Sequence, residues 1–264
     1  MYNCFIYLDY CDGETMYYES KRDILQNLHI RHQQNHLVEM HLHQAIEIHY
    51  GESGLSHFTC GSVEYDIAPG EIALIPSCMP HARTPLSDGI CLMCIIPYSF
   101  FKVFEDKGIS FTQSKLTDKK INQEIRDTIL KAEEALACVQ SPSSLLLQGY
   151  TSVILGLVAE HYPAGNSDTN FSERMIEIIK YIWDHSKENL SLDHLAEHFG
   201  YSRYYFSNLF HKYFNCNLNS YINQIRVTKV LGEIGGNRNI TDVILENGFH
   251  SPSVFYQTKR RMGL

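Results

Sequence analysis

The stretch LSLDHLAEHFGYSRYYFSNLFHKYF, Leu190 to Phe214, decides how the chain is read. Two short amphipathic runs meet here at a tight turn. Two helices that cross through such a turn make particular demands on sequence. The first helix needs a small residue at the crossing, and Ala196 stands there. The turn needs a residue tolerant of positive φ, which Gly200 supplies. The surrounding core positions must be apolar, and Leu195, Phe199, Tyr201, Phe206 and Leu209 all are. Ser191 and Ser202 are placed to cap the two helix starts. Between the core positions of the second helix lie Arg203, Tyr204, Ser207, Asn208, His211 and Lys212. These are hydrogen-bonding and basic types, suited to base edges and phosphates in a major groove. A solvated face of a helical protein is the plain alternative.

Working downstream, NITDVILENGFHSPSVFYQTKRRM, Asn239 to Met262, reads as a second copy. Ile240, Val243, Gly248, Phe249 and Phe255 fit the template, Ser251 is placed as a cap, and Lys259, Arg260 and Arg261 cluster at the end. The candidate DNA contacts of this copy are His250, Ser251, Ser253, Lys259 and Arg260. A helix from Leu218 to about Gly232 joins the copies and spans roughly 22 Å at the helical rise. Two recognition helices on such a connector can enter successive major-groove turns, about 34 Å apart.

Working upstream, Pro163 to Ser172 (PAGNSDTNFS) reads as a linker, and the stripe Met175, Ile178, Ile179, Ile182, Trp183 opens the helical domain behind it. Two helices are predicted over 118–137 and 142–162, from Ile121, Ile125, Ile129, Ala132, Leu136 on the first and Leu145, Ser152, Leu155, Val158 on the second. Ser141-Pro142 reads as N-cap and first helical residue. Their short connection makes them an antiparallel hairpin. Before them the chain reads as β. Strands are predicted at Cys4–Leu8, His41–Tyr50, Leu55–Cys60, Val63–Ile67, Glu71–Ile75 and Ile90–Ile96, with turns at Cys60-Gly61-Ser62 and Ala68-Pro69-Gly70. Short, frequent strands of this kind suit a sandwich or small barrel.

The composition of the 264 residues, 44% hydrophobic and 20% charged, is that of a globular protein. The longest apolar run, Ile90 to Ile96, is far short of the roughly 20 residues that span a bilayer. Met1 to Tyr10 does not read as a signal peptide, so the eight cysteines are expected as reduced thiols in a cytoplasm. The net charge of −8 argues against nucleic acid until it is divided. Residues 1–170 carry 11 Lys and Arg against 21 Asp and Glu, whereas residues 171–264 carry 11 against 9. The acidic part repels phosphates and the second part is free to meet them.

His41, His43 and Glu47 share strand parity, which in an extended strand turns all three to one face, with His49 extending it. His29, His32, His36 and His57 show no evident partners and read as surface residues. Cys91 and Cys94, three apart, read as small core hydrophobes rather than a metal pair, and Cys78 lies near enough to His81 in sequence to join a pocket.

Tandem helix-turn-helix units behind a β domain and a helical hairpin resemble the AraC/XylS family of bacterial transcription regulators. LAEHFGYS (195–202), LFHKYF (209–214), Tyr221, Arg226 and ENGFHSPSVF (246–255) carry the resemblance, and HLHQAIE (41–47) with PGEIALIPSCMPH (69–81) resemble the two cupin motifs. The resemblance implies an α+β chain: a cupin-like ligand-binding β-barrel over 1–112, a dimerising helical hairpin over 113–162, a linker over 163–172, and an all-α domain of two helix-turn-helix units over 173–264. The second unit, 233–264, departs from the family. Ile244 stands where a small Ala is usual, Asn247 where an apolar residue is usual, Thr258 passes directly to Lys259, and Leu264 comes before the usual final turn. An Ile at the crossing is expected to over-pack it by roughly 1–3 kcal/mol.

The cupin resemblance also brings His81 beside His41, His43 and Glu47. Three imidazoles and a carboxylate match the ligands of a divalent ion such as Zn, Fe, Mn or Ni. The same four suit hydrogen bonding to a polyhydroxylated ligand, with no metal required, and bound water is the third occupant. The implied protein is a ligand-responsive regulator, not an enzyme. It binds double-stranded promoter DNA and a small-molecule effector, a sugar or sugar derivative by resemblance, forms a homodimer and contacts RNA polymerase. It involves no membrane. A metal-dependent cupin enzyme fused to a helical module is the alternative, and a helix-turn-helix that contacts only protein is a third.

Overall fold

The computed structural model describes all residues except 1–6, 10–14, 24, 26, 110, 112–113, 139–143, 163–172, 215–216, 235–237 and 263. The Ser141-Pro142 cap, the 163–172 linker, the start of the first predicted strand, and the side chains of Met175 and Lys212 lie outside the described residues. The elements in chain order are β1 (Tyr7–Asp9), β2 (Thr15–Tyr18), α1 (Ser20–Asp23), β3 (His29–Gln34), β4 (Val38–Leu42), β5 (Ile46–Gly51), β6 (Ser56–Cys60), β7 (Val63–Ile67), β8 (Ile72–Ile75), β9 (His81–Pro85), β10 (Ile90–Ile96), α2 (Tyr98–Glu105), β11 (Lys115–Leu116), α3 (Lys119–Cys138), α4 (Ser144–His161), α5 (Glu173–His185), α6 (Leu192–His198), α7 (Arg203–Phe214), α8 (Leu218–Glu233), α9 (Ile240–Glu246) and α10 (Pro252–Arg261). The chain divides into two compact units, one of residues 27–171 and one of residues 1–26 with 172–264.

In the unit of residues 27–171, two antiparallel sheets run in the orders β11-β8-β5-β10-β3 and β4-β9-β6-β7. Phe58, Cys60, Ile67, Ala73, Ile75 and Met79 pack between them as a buried cluster. The turn at Ala68-Pro69-Gly70 forms as expected, with Glu71 N–H donating to Ala68 O at 3.0 Å. The predicted strand His41–Tyr50 is in fact two strands. The chain leaves one sheet at His43, turns through Gln44 and Ala45, and enters the other at Ile46. No glycine or proline marks this turn, so an unbroken apolar pattern concealed it. Strand β4 carries a register shift against β9 between Val38 and His41, the signature of a bulge.

The helical hairpin packs as α3 against α4, and α4 also meets α2, where Gln148 Nε2 donates to Phe100 O at 2.7 Å. Asp118 caps α3 by accepting from the N–H groups of Lys120 and Ile121. Asn122, fully buried, donates to the carbonyls of Gly70 and Leu116 and accepts from the Tyr162 hydroxyl, tying α3 to the sheet and to the end of α4. The first helix buries Ile121, Ile125, Ile129 and Ala132 as predicted. Of the stripe predicted on the second, Leu155 and Val158 are buried, together with Leu147, Thr151 and Ile154, while Leu145 is 80% exposed and Ser152 faces outward.

In the other unit, β1 and β2 pair antiparallel, and their backbones approach α7. Ile178, Ile179, Ile182 and Trp183 of α5 are buried, and α8 packs against α5, α7, α9 and α10. Arg226 of α8 donates from Nε to Ser186 O at 2.6 Å and from Nη2 to Glu188 O at 2.8 Å, pinning the turn after α5. The first helix-turn-helix forms as read. Ala196 is buried at the crossing, Gly200 takes φ of 73°, and Ser191 and Ser202 accept from the N–H groups of His194 and Tyr205. Two core positions shift, because Leu209 and Tyr201 are half-buried and Phe210 is buried in the place expected of Leu209.

The second unit forms the same motif, with Gly248 at φ of 85°. Ile244 does not over-pack it. It is fully buried in a cluster with Val227, Val230, Val243, Phe249 and Phe255, and Ile240, expected in that core, is exposed instead. Asn247, also fully buried, donates Nδ2 to Glu233 Oε2 at 3.0 Å and to Val243 O at 2.9 Å. A polar residue is thus accommodated by a carboxylate on α8. Ser251 occupies the N-cap position of α10 but makes no capping hydrogen bond. Pro252 follows it at the start of the helix, where its missing N–H removes one orphan donor.

Candidate functional site

His41, near the end of β4, His43, in the turn that follows, Glu47, on β5, and His81, at the start of β9, converge between the two sheets. Each offers one ligand atom, these atoms lie within 4.8 Å of one another, and all four residues are buried. Strand parity alone was the wrong route to the set, since the chain turns between His43 and Glu47; sheet-to-sheet closure brings them together. The Cys78 backbone N–H donates to His43 O at 2.8 Å and holds that turn, but its thiol is not one of the clustered donors.

Backbone carbonyls fix the imidazoles. Nδ1 of His41, His43 and His81 lies 2.9, 3.2 and 2.9 Å from the carbonyls of Glu39, Ala45 and Met79. A carbonyl only accepts, so each Nδ1 carries a proton and each ring turns its Nε2 inward, as a lone pair in the neutral form. The inward Nε2 atoms of His43 and His81 are buried and make no hydrogen bond among the described residues. His43 Nε2 lies 3.1 Å from Glu47 Oε1. With that tautomer two lone pairs face each other across this gap, an arrangement that a cation relieves.

His49, two residues past Glu47 on β5, donates Nε2–H to Glu47 Oε2 at 2.7 Å and orients the carboxylate. Its Nδ1 faces the Cys91 thiol at 3.7 Å. Burial pulls the His49 pKa down to about 4, and burial with the neighbouring His81 and His43 holds His41 well below the usual imidazole value. Burial alone would raise Glu47, but the neighbouring His43 and the hydrogen bond from His49 keep it well below the usual carboxylate value. The site offers three imidazoles and one carboxylate, a donor set that fits a divalent transition-metal ion.

Arg83 went unnoticed in the sequence, because an arginine in a polar HARTP segment reads as surface. It is 2% exposed. The four histidines read as surface residues are exposed (His32, His36) or half-buried (His29, His57), but none lacks a partner. His32 pairs with Glu52 at 2.7 Å, His57 with Asp66 at 2.8 Å, and His36 Nδ1 lies 3.0 Å from Arg83 Nη2, while His29 also has a partner.

On the helical unit, α7 presents Arg203, Tyr204, Asn208 and His211 exposed and Ser207 half-buried. Tyr204 is 79% exposed, so nothing in its own unit claims it. Arg203 Nη1 holds Asp193 at 2.8 Å, an exposed pair of the kind that contributes little stability. From the second unit His250, Ser253 and Arg260 are exposed, and Ser251 and Lys259 are half-buried. A cleft of about 570 Å³ takes Arg203, Ser207 and His211 from one motif and His250 and Val254 from the other, so both motifs face one concavity.

A buried histidine–carboxylate cluster between two facing β-sheets, in one chain with tandem helix-turn-helix motifs, is the arrangement of a ligand-responsive DNA-binding regulator. Comparison with known proteins gives the family. The model of the AraC-like ligand binding domain matches residues 25–135, and that of a helix-turn-helix domain matches residues 195–263. The chain belongs to the AraC family of transcription regulators, with an N-terminal effector-binding domain and a C-terminal DNA-binding domain. Similar solved structures include ToxT from Vibrio cholerae O395, 16% identical over 89% of this chain and 93% of that one with a TM-score of 0.41. The AraC-like transcriptional activator CuxR is 17% identical over 78% and 72%, with a TM-score of 0.44. No curated protein matches the chain. No helix among the described residues is long and apolar enough to cross a membrane.

Proposed function

We propose that the pocket holds a divalent transition-metal ion between His41, His43, Glu47 and His81, and that the effector is sensed there. The observation carrying this is the set of inward imidazole nitrogens, each ring locked by a carbonyl at its far nitrogen, around one carboxylate. Such outer hydrogen bonds are what fix metal-ligating histidines. The ion, when bound, supplies Lewis acidity and open coordination positions. The chain supplies orientation through His49 and the exclusion of water by burial. A sugar or sugar derivative, whose adjacent hydroxyls chelate such an ion, is the effector class. The barrel acts as a sensor and not as a catalyst. Purified full-length protein, analysed for elements after dialysis, is expected to carry about one transition-metal ion per chain, and His41→Ala with His43→Ala to carry none. Metal-free wild type at full occupancy of the fold, shown by an unchanged circular dichroism spectrum, refutes the reading.

DNA binding is assigned to α7 through Arg203, Tyr204, Ser207, Asn208, His211 and Lys212, and to the second motif through His250, Ser251, Ser253, Lys259 and Arg260. What supports this is that Arg203, Ser207, His211 and His250 line one concavity. Dimerisation is assigned to the outer face of α4. Leu145, Leu146 and Val153 are exposed there beside Gly149 and Gly156, neither of which has an atom within contact of a would-be Cβ. Contact with RNA polymerase and a cytoplasmic location complete the proposal.

A further inference from the structure

Arg83 follows His81 by two residues on β9, and both are buried while Thr84 is exposed, so the two side chains share the interior face of the strand. An arginine this buried is normally paired with an anion. Arg83 is anchored along one edge only. Nε donates to His36 O at 3.3 Å and Nη2 lies 3.0 Å from His36 Nδ1, which also faces Gln34 O at 2.9 Å, so no anion stands on this edge. Nη1 is buried with no hydrogen-bond partner among the described residues. The neighbouring charges do not answer it. Cys91 lies beside it within hydrogen-bond reach, but burial lifts that thiol to about 12, so it meets the guanidinium as a weak neutral acceptor and not as an anion. Glu47 is felt at a distance, yet its two oxygens face His43 on one side and His49 on the other. Once a divalent ion sits among the histidines, a single carboxylate faces three positive charges in a buried space, which favours an anionic guest.

We propose that Arg83 reads a carboxylate of the effector, so that the effector is a small chelating organic acid, a sugar acid within the class assigned above. One end of it meets the metal ion and a carboxylate takes Arg83 Nη1. This rests on the metal reading of the preceding subsection. Two residues of strand separate the Cα atoms of His81 and Arg83 by about 7 Å, so the two contacts lie a few carbon atoms apart. A single unclaimed nitrogen suits one carboxylate, and a guanidinium edge gives it a strong, charge-assisted bond.

The test uses full-length protein loaded with Co²⁺, whose d–d absorption reports whatever enters its coordination sphere. Acetate is titrated first, then oxalate, malonate, succinate and glutarate, which hold a second carboxylate at increasing reach. At least one dicarboxylate is expected to bind wild type about tenfold or more tightly than acetate. Arg83→Gln is expected to bring that dicarboxylate down to the level of acetate, leaving acetate itself within about twofold. Stoichiometric Co²⁺ uptake by Arg83→Gln shows that it has folded, because the ligands come from both sheets. If it does not take up Co²⁺, Arg83→Met is measured in its place, and a dicarboxylate preference equal to wild type overturns the proposal. It is equally overturned if no dicarboxylate outbinds acetate in wild type, or if the preference survives Arg83→Gln. Failure of wild type to take up Co²⁺ at all refutes the metal site itself, and the proposal falls with it.

Discussion

Gly200 and Gly248 occupy the same place in the two turns, with φ of 73° and 85°, but their surroundings differ. A Cβ at Gly200 would meet nothing within 4 Å, whereas one at Gly248 would sit 2.6 Å from Lys187 O and 3.0 Å from Arg226 Nε. The first substitution pays only for left-handed backbone, about 1–2 kcal/mol. The second must also displace a backbone carbonyl, so Gly248→Ala is expected to lose about 3 kcal/mol or more against about 1–2 for Gly200→Ala. Urea unfolding of the two variants followed by helical signal checks this, and equal losses would show that the Lys187 contact relaxes freely. Both glycines were legible in the sequence as turn residues; their unequal packing was not, because it depends on a loop some sixty residues away for Gly248. The reading of Ile244 failed for the same reason. A template assumes the partner helix of the family, and Val227 and Val230 of α8 leave room for the larger side chain.

Among elements, α4 carries the clearest unmet surface. Its inner face is fully occupied, while its outer face shows Leu145 at 80% exposure and Val153 at 51%. Leu145→Glu with Val153→Glu is expected to convert a dimer into a monomer in sedimentation velocity at micromolar concentration, with the thermal midpoint little changed because neither side chain is buried. A double variant that remains dimeric would move the interface elsewhere. Sequence periodicity placed the helix within two residues at each end and Leu155 and Val158 on its buried face, yet started the stripe at the wrong leucine, because Leu145, Leu146 and Leu147 are equivalent to any pattern that counts apolar residues. Strands β3 and β9 were missed because they are rich in polar residues: those of β3 face outward or lie half-buried at the sheet edge, and only His81 and Arg83 of β9 turn inward. The histidine–carboxylate set was legible through its cupin-like motifs, whereas His49 was seen only as a neighbour and Arg83 not at all. Both belong to the interior because of register, which a single strand does not reveal.

For the whole molecule, charge is distributed to suit its task. Residues 1–170 are strongly acidic and residues 171–264 slightly basic, so the attraction to DNA comes from a few local cations rather than from net charge. Operator affinity is therefore expected to fall steeply with salt, by about a thousandfold between 50 and 200 mM if six or more phosphates are met. Lys259→Ala is expected to lower the slope of log affinity against log salt by about 1. Mobility-shift titrations across salt would show it, and an unchanged slope would remove Lys259 from the phosphate contacts. The connector between the motifs sets a further condition. Helix α8 holds α7 on one side and α9 with α10 on the other, and Arg226 bolts it to the turn at 186–188. A strut braced in this way cannot stretch, so the protein behaves as a fixed ruler laid along the duplex. One base pair inserted between the two half-sites turns the second by about a tenth of a revolution, and a rigid reader cannot follow it.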